Sequence, residues 1–210
     1  MAGSDRLELY RIGTAEPFFF HPNSAMFRLK RVLQGGTDPL LEMSDLKPGD
    51  SFLDCTLGLA SDSILASYQV GEKGVVCGLE SDEDIAYIVK TGLSQYETNV
   101  EALKEAMQRI EVQSIDALSY LKAADSDSWD VVYIDPMFQE PIDESSNFTL
   151  LREIGVQDQL TTEWVEEAYR VCRKRVVVKD HYRSTIFEQF QFQQEIRLTS
   201  KFHFGYLEKK

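Results

Sequence analysis

The chain has 210 residues and a mass of 24.0 kDa, the size of one ordinary domain and too little for a multidomain machine. A 43% hydrophobic share with 27% charged residues excludes a disordered tail or a fibre. Lysine and arginine number 22 against 35 aspartates and glutamates, so the formal charge of −13 excludes indiscriminate binding to nucleic acid or membrane, and a nucleic-acid substrate would need a local basic patch.

Residues 1–47 read as an N-terminal segment and residues 48–210 as the main domain. The opening MAGSDRLELYRIG lacks the apolar core of a signal peptide, and no apolar run approaches the length of a membrane span, so the expected location is cytoplasmic. PFFFHPN reads as a packed turn, with Phe18-Phe19-Phe20 as core or as a substrate wall. Ala25 to Leu33 is a short basic amphipathic helix carrying Arg28, Lys30 and Arg31, stopped by Gly35-Gly36. The three cysteines, Cys55, Cys77 and Cys172, have no CxxC spacing and sit in apolar surroundings, which predicts buried free thiols.

After the Pro48-Gly49 turn, Ser51 to Cys55 predicts a buried strand, followed through a loop containing Gly58 by a helix to about Gln69. Gly74 to Glu80 is a second strand, and two helices are expected over Asp82 to Thr91 and Tyr96 to Met107. IEVQSID gives a third strand and Trp129 to Ile134 a fourth, broken by Pro136. Thr162 to Arg173 is a helix with acids early and arginines late, as the helix dipole favours. Arg175 to Lys179 is a fifth strand, and the alternation Phe202, Phe204, Tyr206 predicts a last, antiparallel one. Continuous apolar strands separated by helices indicate an α/β fold, a doubly wound and mostly parallel sheet.

Such sheets bind ligands at the carboxyl ends of their strands, and the residues there are acidic: Asp54 and Asp62, Glu80, Asp116 and Asp135. The loop DCTLGLASDS has one glycine where a dinucleotide fingerprint needs three, and its carboxylates would repel a pyrophosphate. S-adenosyl-L-methionine, without phosphates and with sulfonium and ammonium charges, suits these acids. Glu80 is placed for the ribose hydroxyls, and a carboxylate after the third strand for the adenine amino group.

Asp135-Pro136-Met137-Phe138 is the candidate catalytic element. It is similar in all but its third position to the Asp/Asn-Pro-Pro-aromatic tetrad of class I amino-group methyltransferases. A carboxylate and a backbone carbonyl that accept the two N–H groups of an exocyclic amine draw its lone pair out of the ring and stabilise the developing positive charge. The aromatic offers a stacking face to a base.

DCTLGLASD, LE at 79–80, DAL from Asp116, DVVYIDPMF from Asp130 and RVVVK from Arg175 together resemble the family of the small-subunit ribosomal RNA guanine-N2 methyltransferase J and its Gram-positive relatives. The resemblance runs from about Phe52 to the C-terminus. It implies a Rossmann-like class I methyltransferase fold and S-adenosylmethionine contacts at Ser61, Asp62, Glu80, Ser81, Asp116, Ala117 and Asp135, and Asp54 and Gly58 at the end of the first strand and in its loop are further cofactor-binding candidates. Asp135, Pro136 and Phe138 would be catalytic. The family's loop usually reads Gly-Leu-Gly-Arg-Asp, against Gly58-Leu59-Ala60-Ser61-Asp62 here. Relatives tend to carry an additional N-terminal region, so the chain reads as a shortened version or a fragment.

The expected substrate is an exocyclic amine of ribosomal RNA, free or in the small subunit, met by Arg28, Arg31, Phe138, Lys179 and Arg183. Two basic clusters could supply the patch, Arg28, Lys30 and Arg31, and Arg170, Arg173, Lys174, Arg175, Lys179 and Arg183, and either is equally well read as solvated helix faces and helix ends. A small-molecule or protein amine, or a non-catalytic binding role, are the other readings. His21, His181 and His203 lack metal-ligand spacing, so no metal is expected. Residues 139–147, QEPIDESSN, read as a solvated loop or a flap over the substrate.

Overall fold

A computed structural model describes residues 6–11, 16–136, 160–198 and 200–210. Helices α1 (Asn23–Leu33) and α2 (Pro39–Ser44) precede β1 (Ser51–Asp54), α3 (Ser61–Val70) and β2 (Val75–Glu80). Then come α4 (Glu83–Gln95), α5 (Glu101–Gln108), β3 (Ile110–Ser114), α6 (Ala117–Ala123) and β4 (Trp129–Ile134). The described C-terminal part has α7 (Thr162–Val171), β5 (Cys172–His181), α8 (Ile186–Gln189), β6 (Gln193–Glu195) and β7 (Phe202–Glu208).

The strands form one sheet in the order β3-β2-β1-β4-β5-β7-β6. β3, β2, β1, β4 and β5 are parallel, and β7 inserts antiparallel between β5 and β6. Side chains alternate across a strand, so a sheet covered on both faces needs apolar residues at every position. Phe52, Val76, Val131, Tyr133 and Val177 pack on one face with Leu29, Ile64, Leu65, Val89 and Leu103 of the helices. Leu53, Leu79, Val132, Ile134, Val176 and Val178 pack on the other with Leu121, Trp164, Val165 and Val171. Burying each such side chain contributes about 1.5–3 kcal/mol, and Phe52→Ala, at the centre of the first layer, would cost about 3–5 kcal/mol.

Several helix and strand ends differ from the sequence reading. α4 runs past Gly92 to Gln95 because that glycine does not break the helix: a Cβ there would lie 2.3 Å from Phe20 Cγ, so its absence admits the ring. α5 starts only at Glu101. α7 ends at Val171 and the chain enters β5 directly at Cys172, which extends to His181 because Asp180 and His181 pair with His203 and Phe202 of β7. Phe18 and Phe20 are core, and Phe19 lies under the Arg6 guanidinium, 3.5 Å from the ring centroid. All three cysteines are buried free thiols, and burial pushes each thiol above its usual range.

Candidate active site at the carboxyl edge of the sheet

The strand order brings Asp116, Glu80, Asp54, Asp135 and Lys179 into a row along the carboxyl edge, contributed by β3, β2, β1, β4 and β5 in turn. Its centre is the gap where β1 sends its crossover to β2 on one side and meets β4 on the other, the topological switch point of the sheet.

Asp54 is buried and held at both oxygens: Oδ1 accepts from the Thr56 N–H at 3.0 Å and Oδ2 from Ser63 Oγ at 2.6 Å. Burial pushes its carboxyl up to about 7 against those hydrogen bonds, with the charges of Asp62 and Asp135 adding to the rise. The loop that follows has Gly58 at φ +48° and Ala60 at φ +58°. Ala60 thus takes the left-handed conformation that the family's usual glycine would take freely, at about 1 kcal/mol, and α3 starts at Ser61.

Asp62 lies buried in the first turn of α3, where the helix dipole favours an acid. Its oxygens accept from Arg28 Nη1 at 2.6 Å, Tyr133 Oη at 3.0 Å and Lys179 Nζ at 3.4 Å. Burial would raise its carboxyl, but the Lys179 and Arg28 charges overcome that and hold it well below the usual range.

Glu80 ends β2 with Oε1 accepting from the Asp82 N–H at 3.1 Å, and burial raises its carboxyl. Ser81 beside it is exposed. Asp116 is exposed and caps α6, accepting from the Ser119 N–H at 2.7 Å, with Ala117 buried behind it.

At the end of β4 the Asp135 N–H donates to Thr56 Oγ1 at 2.7 Å, and Oδ2 accepts from Lys179 Nζ at 2.5 Å. Oδ1 is buried and has no hydrogen-bond partner among the described residues. Burial pushes this carboxyl up to about 6, the charges of Asp62 and Asp180 push the same way, and Lys179 opposes them. Pro136 is buried; Phe138 and the loop 139–147 lie outside the described residues.

The cations expected to meet RNA divide. Arg28 is not an open surface charge: it forms a bidentate pair with Asp38, Nε to Oδ2 at 2.9 Å and Nη2 to Oδ1 at 2.8 Å, and reaches Asp62 as well. Lys179 is likewise engaged, by Asp135 and Asp62. Arg31 keeps 44% of its side chain exposed with one 3.3 Å contact to Asp38. Arg183 is exposed, with its guanidinium 5.2 Å from the Tyr182 ring centroid. Arg173 and Lys174 pair with Asp130 and Asp50 at the amino end of β5, about 17–20 Å along the strand from Lys179.

Thr56, Ser63, Tyr133 and Asp38 belong to this site although the sequence reading did not single them out. A hydroxyl two residues beyond a strand-ending acid was the available signal for Thr56. The partnership of Arg28 with Asp62 spans 34 residues and has no local signature.

Among the described residues, no group of three or more His, Cys, Asp or Glu side chains is arranged to hold a metal ion, and no helix is long and apolar enough to cross a membrane. The donor set fits S-adenosylmethionine: carboxylates for positive centres and a ribose, and an unpartnered buried oxygen where a target amine would arrive.

Sheet order, acidic edge and chemistry together define an S-adenosylmethionine-dependent methyltransferase. The chain belongs to that family, matching over residues 3–204 the model described as "Putative SAM-dependent methyltransferase". It is 47% identical over 208 residues to "Uncharacterized protein YpiP" of Bacillus subtilis, an alignment covering 99% of this chain and 80% of that protein. It is 27% identical over 190 residues, 84% of this chain and 74% of the other, to ribosomal RNA small subunit methyltransferase J of Dechloromonas aromatica. The fold is shared with the SAM-dependent methyltransferase NGO1261 from Neisseria gonorrhoeae, at TM-score 0.64 and 18% identity, covering 98% of this chain and 80% of that one.

Proposed function

We propose that this methyltransferase acts on an exocyclic base amine of ribosomal RNA, guanine N2, in the cytoplasm, with residues 48–210 as the methyltransferase domain and 1–47 as an N-terminal segment beside its site. The observation that carries the reading is Asp135 Oδ1, buried and unpartnered among the described residues at the carboxyl end of β4, inside the sequence Asp-Pro-Met-Phe. The 27% likeness to methyltransferase J supports it.

In this reading Glu80 accepts from the ribose hydroxyls, and Asp116 with Ala117 contacts the adenine. Asp54, Gly58, Ser61, Asp62 and Ser81 line the remainder of the cofactor site. When bound, S-adenosylmethionine supplies a methyl group on a positively charged sulfur. Asp135 Oδ1 accepts one N–H of the target amine and the Pro136 carbonyl accepts the other, which aims the nitrogen lone pair and stabilises the charge developing on it. Phe138 stacks on the base. The extra proton of the product is lost to water, so no strong general base is required.

RNA would be met by cations flanking the edge. α1 presents the exposed Lys30 and Arg31 and carries no acid, and Phe27 on it is 73% exposed. Beyond β5, Tyr182 is exposed beside Arg183. Exposed aromatics beside cations suit an unpaired strand. The test is RNA binding across a salt series for wild type and for Arg31→Glu with Arg183→Glu. Weaker binding with a flatter salt slope is expected, cofactor binding being unchanged. Binding indifferent to both reversals points to a small-molecule or protein amine.

A further inference from the structure

Five side chains of alternating sign run through the interior from α1 to the end of β4: Asp38, Arg28, Asp62, Lys179 and Asp135. The pairing is continuous, with contacts of 2.8 Å, 2.6 Å, 3.4 Å and 2.5 Å in that order. The far end is fixed by the fold, because Asp38 is buried and caps α2 through the Leu40 N–H. At the near end Lys179 occupies one oxygen of Asp135 and leaves the other, Oδ1, without a partner among the described residues.

We propose that Lys179 is the positioning residue for Asp135, and that the Arg28–Asp62 pair in turn holds Lys179. The ammonium fixes the carboxylate by its Oδ2 oxygen, keeps it ionised among other acids, and presents Oδ1 to the incoming amine. This rests on the reading of Asp135 as the acceptor for that amine. It gives α1, which lies outside the sheet and its crossover helices, a part in the chemistry. It also removes Lys179 from the cations available to RNA phosphates.

The electrostatics follow from the surroundings. Asp135 faces Asp54 from β1, Asp62 from α3 and Asp180 from β5, all of which disfavour its ionisation, and the neutral Tyr133 phenol of β4. Lys179 is the opposing cation in direct contact, and Arg28 stands one carboxylate further away. Without Lys179 the carboxyl would protonate at a higher pH and turn freely about its Cβ–Cγ bond. A protonated Asp135 presents a donor where the amine needs an acceptor.

The test uses Lys179→Met, with Lys179→Gln as the second neutral variant should the first fail to fold, and Lys179→Arg as the conservative one. The Asp135 carboxyl is titrated by carbon-13 NMR in the full chain without ligand, its signal assigned by its loss in Asp135→Asn. The titration is expected to move to higher pH in Met or Gln and to stay near the wild-type value in Arg. An Asp135 titration unmoved by the neutral variants overturns the proposal. In methyl transfer, the neutral variants are expected to lose about tenfold or more in kcat, with an acid limb moved upward and cofactor affinity within a few fold. Equal losses in cofactor affinity and kcat would also overturn it. The titration needs no substrate, so a wild-type enzyme that leaves ribosomal RNA unmodified defeats the substrate reading alone.

Discussion

The Asp135 N–H donates to Thr56 Oγ1 at 2.7 Å, while the Thr56 N–H donates to Asp54 Oδ1 at 3.0 Å, so one threonine joins the loops after β1 and β4 across the switch point. Thr56→Val keeps the shape and removes the hydroxyl. It leaves the Asp135 N–H without its acceptor, at a cost of about 1–3 kcal/mol. Methyl transfer is expected to fall more than cofactor affinity, because the displaced group faces the substrate. Thermal melts with single-turnover kinetics check this; an unchanged rate would show that the loop is fixed by other contacts.

The pH dependence of stability has a definite sign. In the unfolded chain Asp54 and Asp135 release their protons near 3.8, and in the fold at about 7 and about 6. Their protonated forms therefore contribute stability that is fully present below the unfolded value and is lost as pH rises through the folded values. Glu80 and Asp180 are shifted in the same direction. Asp62 and Asp130 are shifted the opposite way, and their contribution is lost only in acid, below the range that matters here. The ligand-free protein should melt lower at pH 8 than at pH 5.5. A cationic cofactor offsets the crowded carboxylates, so S-adenosylmethionine should raise the Tm more at pH 8. Scanning fluorimetry with and without it decides; a larger shift at pH 5.5 would contradict the electrostatics.

Arg28 and Arg31 are three residues apart on α1 and should behave differently. Arg28→Met leaves Asp38 and Asp62 buried without the guanidinium that pairs with both, at about 3–5 kcal/mol. Arg31→Met loses one partly exposed contact, at under about 1 kcal/mol. Urea denaturation of the two variants measures both, and equal effects would deny Arg28 its interior role.

Glu80→Ala is expected to weaken S-adenosylmethionine about tenfold by removing the ribose acceptor, while stability changes little, since burial already disfavours the charged carboxylate. Calorimetry checks it. Unaltered affinity would move the ribose contact to another residue.

The parallel order and the acidic row were legible because both are local signals: a strand buried on both faces is a continuous apolar run, and the next polar residue necessarily lies at the sheet's carboxyl edge. Asp54, Glu80 and Asp135 were found that way. The end of α4 was not legible at Thr91, because Gly92 continues the helix and its missing side chain admits Phe20, a contact from a distant part of the chain. The short helices α2 and α6 carry too few turns for an amphipathic pattern, although Asp38 and Asp116 are good caps. Lys179 and Arg28 read as cations open to an RNA substrate because nothing near them in the sequence pairs them with an acid. Their acids come from α2, α3 and β4, and only the folded topology brings them together.

The most direct measurement gives wild type and Asp135→Asn labelled S-adenosylmethionine and undermethylated small ribosomal subunits, or their free RNA, then digests the RNA to nucleosides. The expected result is label in N2-methylguanosine with wild type and almost none with Asp135→Asn, while both proteins bind the cofactor within a few fold of each other. Label at another atom, label undiminished in Asp135→Asn, or none with wild type would contradict guanine N2 of ribosomal RNA as the substrate held by Asp135.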